Sequence, residues 1–264
     1  MKAGVTTGRN SLSFLRDEAK SWAEKLNMPF LDRYAPLDVM QREKGLDALL
    51  VVTKQGPKVV LPDGNVFFFH PSLSVLRVQR LEQGGQDTLL NALALKAGES
   101  VLDCTLGLAT DACVIAYAVG ATGQVHGLEA SPLIALVVRE GLKDCRSHSE
   151  APDWFKEASL RISVKNANYE DVLATLPDNA YDVVYFDPMF AHPVQSSANM
   201  QPLRPLAKDG GVSASSLLQA RRVAKKRVVI KDHCSAALLK DLHAPTLGGG
   251  KYSRVRFGVW EAES

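Results

Sequence analysis

Residues Ser100 to Asp111 read Ser-Val-Leu-Asp-Cys-Thr-Leu-Gly-Leu-Ala-Thr-Asp, and this run constrains the fold more than any other. A short apolar stretch reaches Asp103, a turn containing Gly107 follows, and Asp111 opens the apolar stretch Ala112 to Val119, which has helical length. The pattern is that of a buried strand, a tight turn and a helix. In an open α/β sheet, ligands sit beyond the carboxyl ends of the strands, where glycine lets the backbone approach and a helix N-terminus presents N–H groups. Residues 103 to 111 are therefore expected to line a pocket.

From Ala97 onward, strand-like and helix-like segments alternate, which predicts an α/β fold with a mainly parallel, doubly wound sheet. Strands are expected at Ser100 to Cys104, Gln124 to Leu128, Leu160 to Val164, Tyr181 to Phe186, Arg227 to Lys231, near Ala244, and at Ser253 to Trp260. Gly248-Gly249-Gly250 is expected to turn the last two into an antiparallel hairpin. Residues 1–82 differ and are read as a small N-terminal α/β lobe, with residues 83–264 as the main domain. Val5 to Gly8 suits a short strand and turn. Leu12, Leu15, Ala19, Trp22, Ala23 and Leu26 recur at helical spacing, with Ser11 as the expected N-cap. Leu46 to Thr53, Lys58 to Leu61 and Val66 to His70 read as an antiparallel meander. Gly84-Gly85 suits a hinge, a close backbone approach or a plain loop before a helix from about Gln86 to Lys96.

With 46% hydrophobic and 23% charged residues, the chain is neither disordered nor fibrous. No stretch is apolar enough to span a bilayer, and Met1 to Asn10 lack the apolar core of a signal peptide, which points to the cytoplasm. Cys104, Cys113, Cys145 and Cys234 form no Cys-x-x-Cys pair and the histidines show no ligand spacing, so no metal is expected. Cys104 reads as a small buried residue rather than a nucleophile. The formal charge of +2 neither demands nor excludes nucleic acid. The dense run Arg221, Arg222, Lys225, Lys226 and Arg227 reads chiefly as a solvated helix end.

Three acids fall at the expected carboxyl ends of strands: Asp103, Glu129 and Asp187. Each alone is as good a cap for the next helix. Together they point to a nucleoside-containing cofactor, because a carboxylate after the second strand can take the ribose hydroxyls. A dinucleotide site needs Gly-x-Gly-x-x-Gly, whereas here Gly107 stands alone with Leu108 and Asp111 nearby. S-adenosylmethionine has no phosphate and carries a sulfonium and an ammonium, so a single-glycine turn between Asp103 and Asp111 suits it better. A nicotinamide oxidoreductase is the weaker alternative.

Asp187-Pro188-Met189-Phe190 follows Tyr-Asp-Val-Val-Tyr-Phe and resembles the Asp/Asn-Pro-Pro-aromatic tetrad of methyltransferases that modify exocyclic amines of bases. The aryl amine's lone pair is delocalised into its ring. Acceptors on its N–H groups, here the Asp187 carboxylate and Pro188 carbonyl, localise it toward a methyl donor. Phe190 is placed to stack on the base. A proline-stopped strand with a core phenylalanine is the plain alternative. Taken with Arg77 to Gln86, Leu-Glu-Ala-Ser-Pro at residues 128–132, Tyr-Phe-Asp-Pro-Met-Phe-Ala-His at 185–192 and Lys-Arg-Val-Val-Ile-Lys at 226–231, the chain resembles the ribosomal small-subunit RNA (guanine-N2) methyltransferase family of the J type over roughly residues 75 to 260.

That resemblance implies a class I methyltransferase, Rossmann-like and mostly parallel with an antiparallel last strand, using S-adenosylmethionine on an RNA substrate. It implies that Thr110 and Asp111 contact the cofactor, that Glu129 and Ala130 bind its ribose and adenine side, that Asn168 and Tyr169 flank the adenine, and that Asp187 closes the pocket beside the methyl group. Ala109-Thr110 stands where the family has Gly-Arg, Asn168-Tyr169 where it has a serine pair, and Ala191 where it has proline. The expected reaction is methyl transfer to a nucleobase amine, foremost guanine N2 of 16S ribosomal RNA. A protein or small-molecule acceptor, or an RNA-binding relative without turnover, are the competing readings.

Overall fold

The computed structural model describes residues 1–9, 11–147, 151–188, 211–248 and 255–262. The first 70 residues build a four-stranded sheet from β1 (Ala3–Thr7), β2 (Ala48–Thr53), β3 (Gly56–Val60) and β4 (Val66–Phe67), in that spatial order. β2, β3 and β4 form the antiparallel meander read from the sequence, but β1 pairs with β2 in parallel. A parallel return needs a long crossover. It is supplied by α1 (Ser13–Lys25), whose Leu15, Ala19 and Ala23 are buried, and by α2 (Leu37–Lys44), a helix too short for its periodicity to be read from the sequence. Ser11 is not the N-cap of α1. Leu12 holds that position without a side-chain bond, and the Ser11 hydroxyl turns back to Thr7 Oγ1 at 2.8 Å.

Two helices lead to the second sheet. α3 (Ser72–Glu82) has no counterpart among the elements expected from sequence, and α4 (Thr88–Leu93) is shorter than the helix expected there because Ala94 takes a left-handed φ of 44°. The Asp87 carboxylate caps α4 by accepting from the Leu89 and Leu90 N–H groups. Between the two helices Gly84 sits at φ 80°, and a Cβ on Gly85 would come within 2.8 Å of the Arg80 carbonyl oxygen, so the pair makes a close backbone approach.

The second sheet comprises β5 (Ser100–Asp103), β6 (Gln124–Glu129), β7 (Ile162–Asn166), β8 (Tyr181–Phe186), β9 (Ala224–His233), β10 (Thr246–Gly248) and β11 (Val255–Glu261). Their order is β10-β11-β9-β8-β5-β6-β7. β5 to β9 run parallel, while β11 is antiparallel to both β9 and β10. Between the strands lie α5 (Thr110–Ala118), α6 (Pro132–Ser147), α7 (Asp153–Leu160), α8 (Tyr169–Thr175), α9 (Ala214–Val223) and α10 (Ala237–Asp241). β7 starts at Ile162 because Leu160, 69% exposed, still belongs to α7.

Side chains alternate between two cores, as they must when both faces of a parallel sheet are covered. Val101, Val183, Tyr185 and Val229 join a core with α5, α6 and α7 that continues into Val5, Leu50, Val59 and Phe67 of the first sheet. Leu102, Val184, Phe186, Val228 and Ile230 pack on the other face with Leu173, Leu217 and Ala220. At Gly141 of α6 a Cβ would meet the Phe69 side chain at 2.3 Å, so glycine lets the N-terminal segment seat Phe69 directly on that helix. Among the described residues no helix is long and apolar enough to cross a membrane.

The basic run proves not to be simply a solvated helix end. Arg221 and Arg222 close α9, but Lys225, Lys226 and Arg227 belong to β9. Arg222 donates to the Leu173 and Leu176 carbonyls, and Lys226 pairs with Glu99 and Asp182. These contacts tie loops together at the amino end of the sheet, opposite the pocket.

Candidate active site

β5 pairs with β6 on one side and β8 on the other, so the sheet order reverses direction at β5 and leaves a crevice beyond its carboxyl end. Asp103 ends β5 with 1% exposure, and its Oδ1 accepts the Thr105 N–H at 3.0 Å. The Thr105 hydroxyl accepts the Asp187 N–H, tying the turn after β5 to the end of β8. Gly107 adopts φ 48°, and an added Cβ there would find nothing nearer than the Thr105 carbonyl at 3.8 Å. Its N–H donates to Glu129 Oε2 at 3.1 Å, while the Ser131 N–H donates to Oε1 at 2.7 Å. Glu129 thus takes the local turn role with one oxygen and faces the glycine turn with the other. Ala109, in a left-handed conformation, starts α5 without a side-chain cap. Thr110 and Asp111 form that helix's first turn.

Asn166 stands outside the motifs read from the sequence, yet its Nδ2 donates to the Glu129 carbonyl at 2.8 Å and to the Ala130 carbonyl at 3.2 Å, fixing the backbone where the ribose side of the cofactor is expected. Asn168 accepts the Glu170 N–H and so caps α8. The Tyr169 ring stands edge-on to Phe186 at 5.3 Å, and its hydroxyl donates to the Gly211 carbonyl. Pro188 is buried beside Asp187, while Phe190 lies outside the described residues. Cys104 is buried, and that burial pushes its thiol well above its ordinary pKa, as a structural cysteine requires.

Sequence reasoning missed the network around Asp111. Arg77 of α3 reaches Asp111 through Nη1, and its Nε and Nη2 form a fork on the Asp87 carboxylate at 2.8 and 2.9 Å. The Tyr185 hydroxyl donates to Asp111 Oδ2 at 2.7 Å. The Lys231 ammonium bridges Asp111 Oδ2 at 2.9 Å and Asp187 Oδ2 at 2.7 Å. Burial alone would push Asp111 up, but Lys231 and Arg77 together hold it far below the usual carboxylate range. At Asp187 burial dominates, opposed by Lys231 and reinforced by Asp111, and the net direction is upward. One signal was present in the sequence: a lysine closing the apolar run Val228 to Ile230.

Asp103 is the outlier. Burial, reinforced by Asp111 and Asp187 against the Thr105 N–H and Lys231, lifts its pKa to about 8. With Asp103 protonated, the carboxylates of Asp87, Asp111 and Asp187 still outnumber Arg77 and Lys231 among the described residues of the site. The pocket therefore fits a ligand of net positive charge, which would favour ionised Asp103. A buried acid at the first strand, an acid on the second strand aimed at the glycine turn, and Asp111 in the first turn of α5 suit S-adenosylmethionine and oppose the pyrophosphate of a dinucleotide.

The strand order with one reversed strand, and a crevice built from the ends of its central strands, define a class I methyltransferase. Residues 62–261 match the SAM_MT family, described as "Putative SAM-dependent methyltransferase". The chain belongs to this family and uses S-adenosylmethionine as its cofactor. It is 39% identical over 229 residues to "Uncharacterized protein YpiP" of Bacillus subtilis, covering 87% of this chain and 88% of that one. It is 31% identical over 242 residues to "Ribosomal RNA small subunit methyltransferase J" of Pseudomonas paraeruginosa, covering 89% and 84%. The crystal structure of the SAM-dependent methyltransferase NGO1261 from Neisseria gonorrhoeae shares the fold, with a TM-score of 0.65 at 18% identity over 98% of this chain and 96% of that one.

Proposed function

We propose that this enzyme methylates an exocyclic nucleobase amine, N2 of a guanine in small-subunit ribosomal RNA, in the cytoplasm. The observation that carries the reading is the junction of Asp187-Pro188 with the cofactor turn. Asp187 directly follows β8, where its N–H donates to the Thr105 hydroxyl and its carboxylate is gripped by Lys231. The relatives named for ribosomal RNA methylation support RNA as the acceptor.

In this reading Glu129 takes the ribose hydroxyls, with its carboxylate held by the Gly107 and Ser131 N–H groups. Asp103 faces the cationic end of the cofactor, Gly107 and Ala130 shape its bed, and Thr110 lies at the start of α5. Asn168 and Tyr169 border the adenine side. Asp111 acts mainly through the cations it holds, since both of its oxygens are already engaged. Bound S-adenosylmethionine supplies a methyl group already activated on a sulfonium. The Asp187 carboxylate and Pro188 carbonyl accept the two N–H bonds of the amine and direct its lone pair, and Asp187 then holds the proton the amine sheds. Phe190 stacks on the base. A base within a duplex is extruded before it reaches this pocket.

The test is transfer of labelled methyl from S-adenosylmethionine to total RNA and to small ribosomal subunits from cells lacking the protein, followed by nucleoside analysis. Label is expected in N2-methylguanosine, and Asp187→Ala is expected to abolish it while cofactor binding persists. Label confined to protein or small molecules would overturn the reading, as would wild-type transfer by Asp187→Ala.

A further inference from the structure

β9 carries three wholly buried residues, Val228, Val229 and Ile230, and then presents Lys231 with a side chain only 21% exposed. Removing an ammonium from water is costly even between carboxylates, and an apolar residue would commonly serve stability as well at such a strand end. The lysine's contribution is therefore sought in what it holds. Its Nζ touches one oxygen from each of two acids on different elements, Asp111 of α5 at 2.9 Å and Asp187 after β8 at 2.7 Å. Asp111 is itself braced from behind by Arg77 of α3 and by the Tyr185 hydroxyl of β8. The ammonium is thus clamped on one side by a braced carboxylate and on the other engages Asp187 through Oδ2, so that Oδ1 is the oxygen not bound by Lys231.

We propose that Lys231 is a positioning residue for methyl transfer: braced by Asp111, it fixes the Asp187 carboxylate so that one oxygen is aimed at the acceptor amine, and keeps that carboxylate ionised. The inference rests on Asp187 being the amine acceptor. Among the described residues, the charged and titratable groups facing Asp187 are Asp103 at the end of β5, Asp111 on α5, Tyr185 on β8 and Lys231 on β9, with Arg77 behind Asp111. Among the described residues, Asp111 is the acid that resists ionisation of Asp187, and Lys231 is the cation in direct contact. Loss of that cation raises the pH at which Asp187 becomes a carboxylate.

The experiment compares full-length wild type with Lys231→Met, Lys231→Arg, Asp187→Asn and the Lys231→Met/Asp187→Asn double variant, in single-turnover methyl transfer across pH with RNA or subunits as acceptor. Displacement of a reacting group by about 1 Å costs on the order of 100-fold. Lys231→Met is therefore expected to lose about that factor in kcat, with KM for RNA and cofactor Kd changed only a few-fold. Its acidic limb moves to higher pH, whereas Lys231→Arg keeps the wild-type limb. In the Asp187→Asn background, which has no carboxylate to aim or ionise, the same lysine change costs far less. An unmoved acidic limb in Lys231→Met, or an equal loss in both backgrounds, assigns Lys231 a merely structural role. Should Lys231→Met fail to melt cooperatively, Lys231→Arg decides: a limb shifted as though the cation were absent overturns the proposal. Wild-type transfer by Asp187→Asn and Asp187→Ala alike would instead remove the acceptor reading beneath it.

Discussion

Replacing Asp103 by asparagine isolates the electrostatic cost of placing an acid at the end of β5. Asparagine keeps an oxygen to accept the Thr105 N–H and leaves the packing nearly unchanged. In the wild type the Asp103 pKa rises from 3.8 to about 8 on folding, with burial as the main cause. Between those values the native state holds a proton that the unfolded chain has released, so this group makes stability fall as pH rises, by about 1.4 kcal/mol per pH unit. The penalty is absent below about pH 4 and fully developed above about pH 8, where it totals on the order of 5 kcal/mol. The Asp103→Asn variant carries no such dependence. Urea unfolding of both proteins, without cofactor, at a series of pH values from about 5.5 to about 7.5 should show the variant gaining on the wild type by about 3 kcal/mol across that interval. Parallel stability curves would refute the reasoning and mean that Asp103 is already ionised in the native protein.

Cofactor binding to the wild type near neutral pH should release a proton as Asp103 ionises beside a cation, seen as a dependence of calorimetric heat on buffer ionisation enthalpy. Heats independent of buffer would detach Asp103 from the cofactor site. Glu129→Ala removes an acceptor held between the Gly107 and Ser131 N–H groups. Hydrogen bonds to a charged group contribute about 1.5–3 kcal/mol, so Kd for S-adenosylmethionine should rise about 10- to 100-fold, and an undiminished affinity would sink the ribose assignment. Arg77→Ala leaves the largely buried Asp87 and Asp111 without a shared cation, although Lys231 remains on Asp111. A loss of roughly 3 kcal/mol is expected in urea unfolding. A change well under about 1 kcal/mol would place this fork among solvent-screened surface pairs.

Much of the catalytic half was legible because its signals are local. An apolar run, one glycine and a second apolar run suffice to announce β5, its turn and α5. Asp103, Glu129 and Asp187 could be placed at strand ends because each directly follows such a run. The N-terminal segment was less legible. α2 is only eight residues long, and the parallel pairing of β1 depends on where the long crossover through α1 and α2 returns, which alternation along a strand does not encode. The Ser11 cap failed because its hydroxyl had a competing partner in Thr7.

The meeting of Arg77, Asp111, Tyr185 and Lys231 belongs to the tertiary structure alone. α3, α5, β8 and β9 are separated by long stretches of chain, and their side chains converge because β9 lies beside β8 and β8 beside β5. The same placement turns Lys226 of early β9 toward Glu99 and Asp182 at the far end of the sheet. Sequence by itself determined most strands of the second sheet, the cofactor class and the acids at the strand ends, since these follow from periodicity and residue chemistry over a few neighbours. Which cation neutralises which acid, and therefore which carboxyl is held charged and which is held neutral, was decided only by packing, because desolvation and Coulomb interactions depend on distances in space.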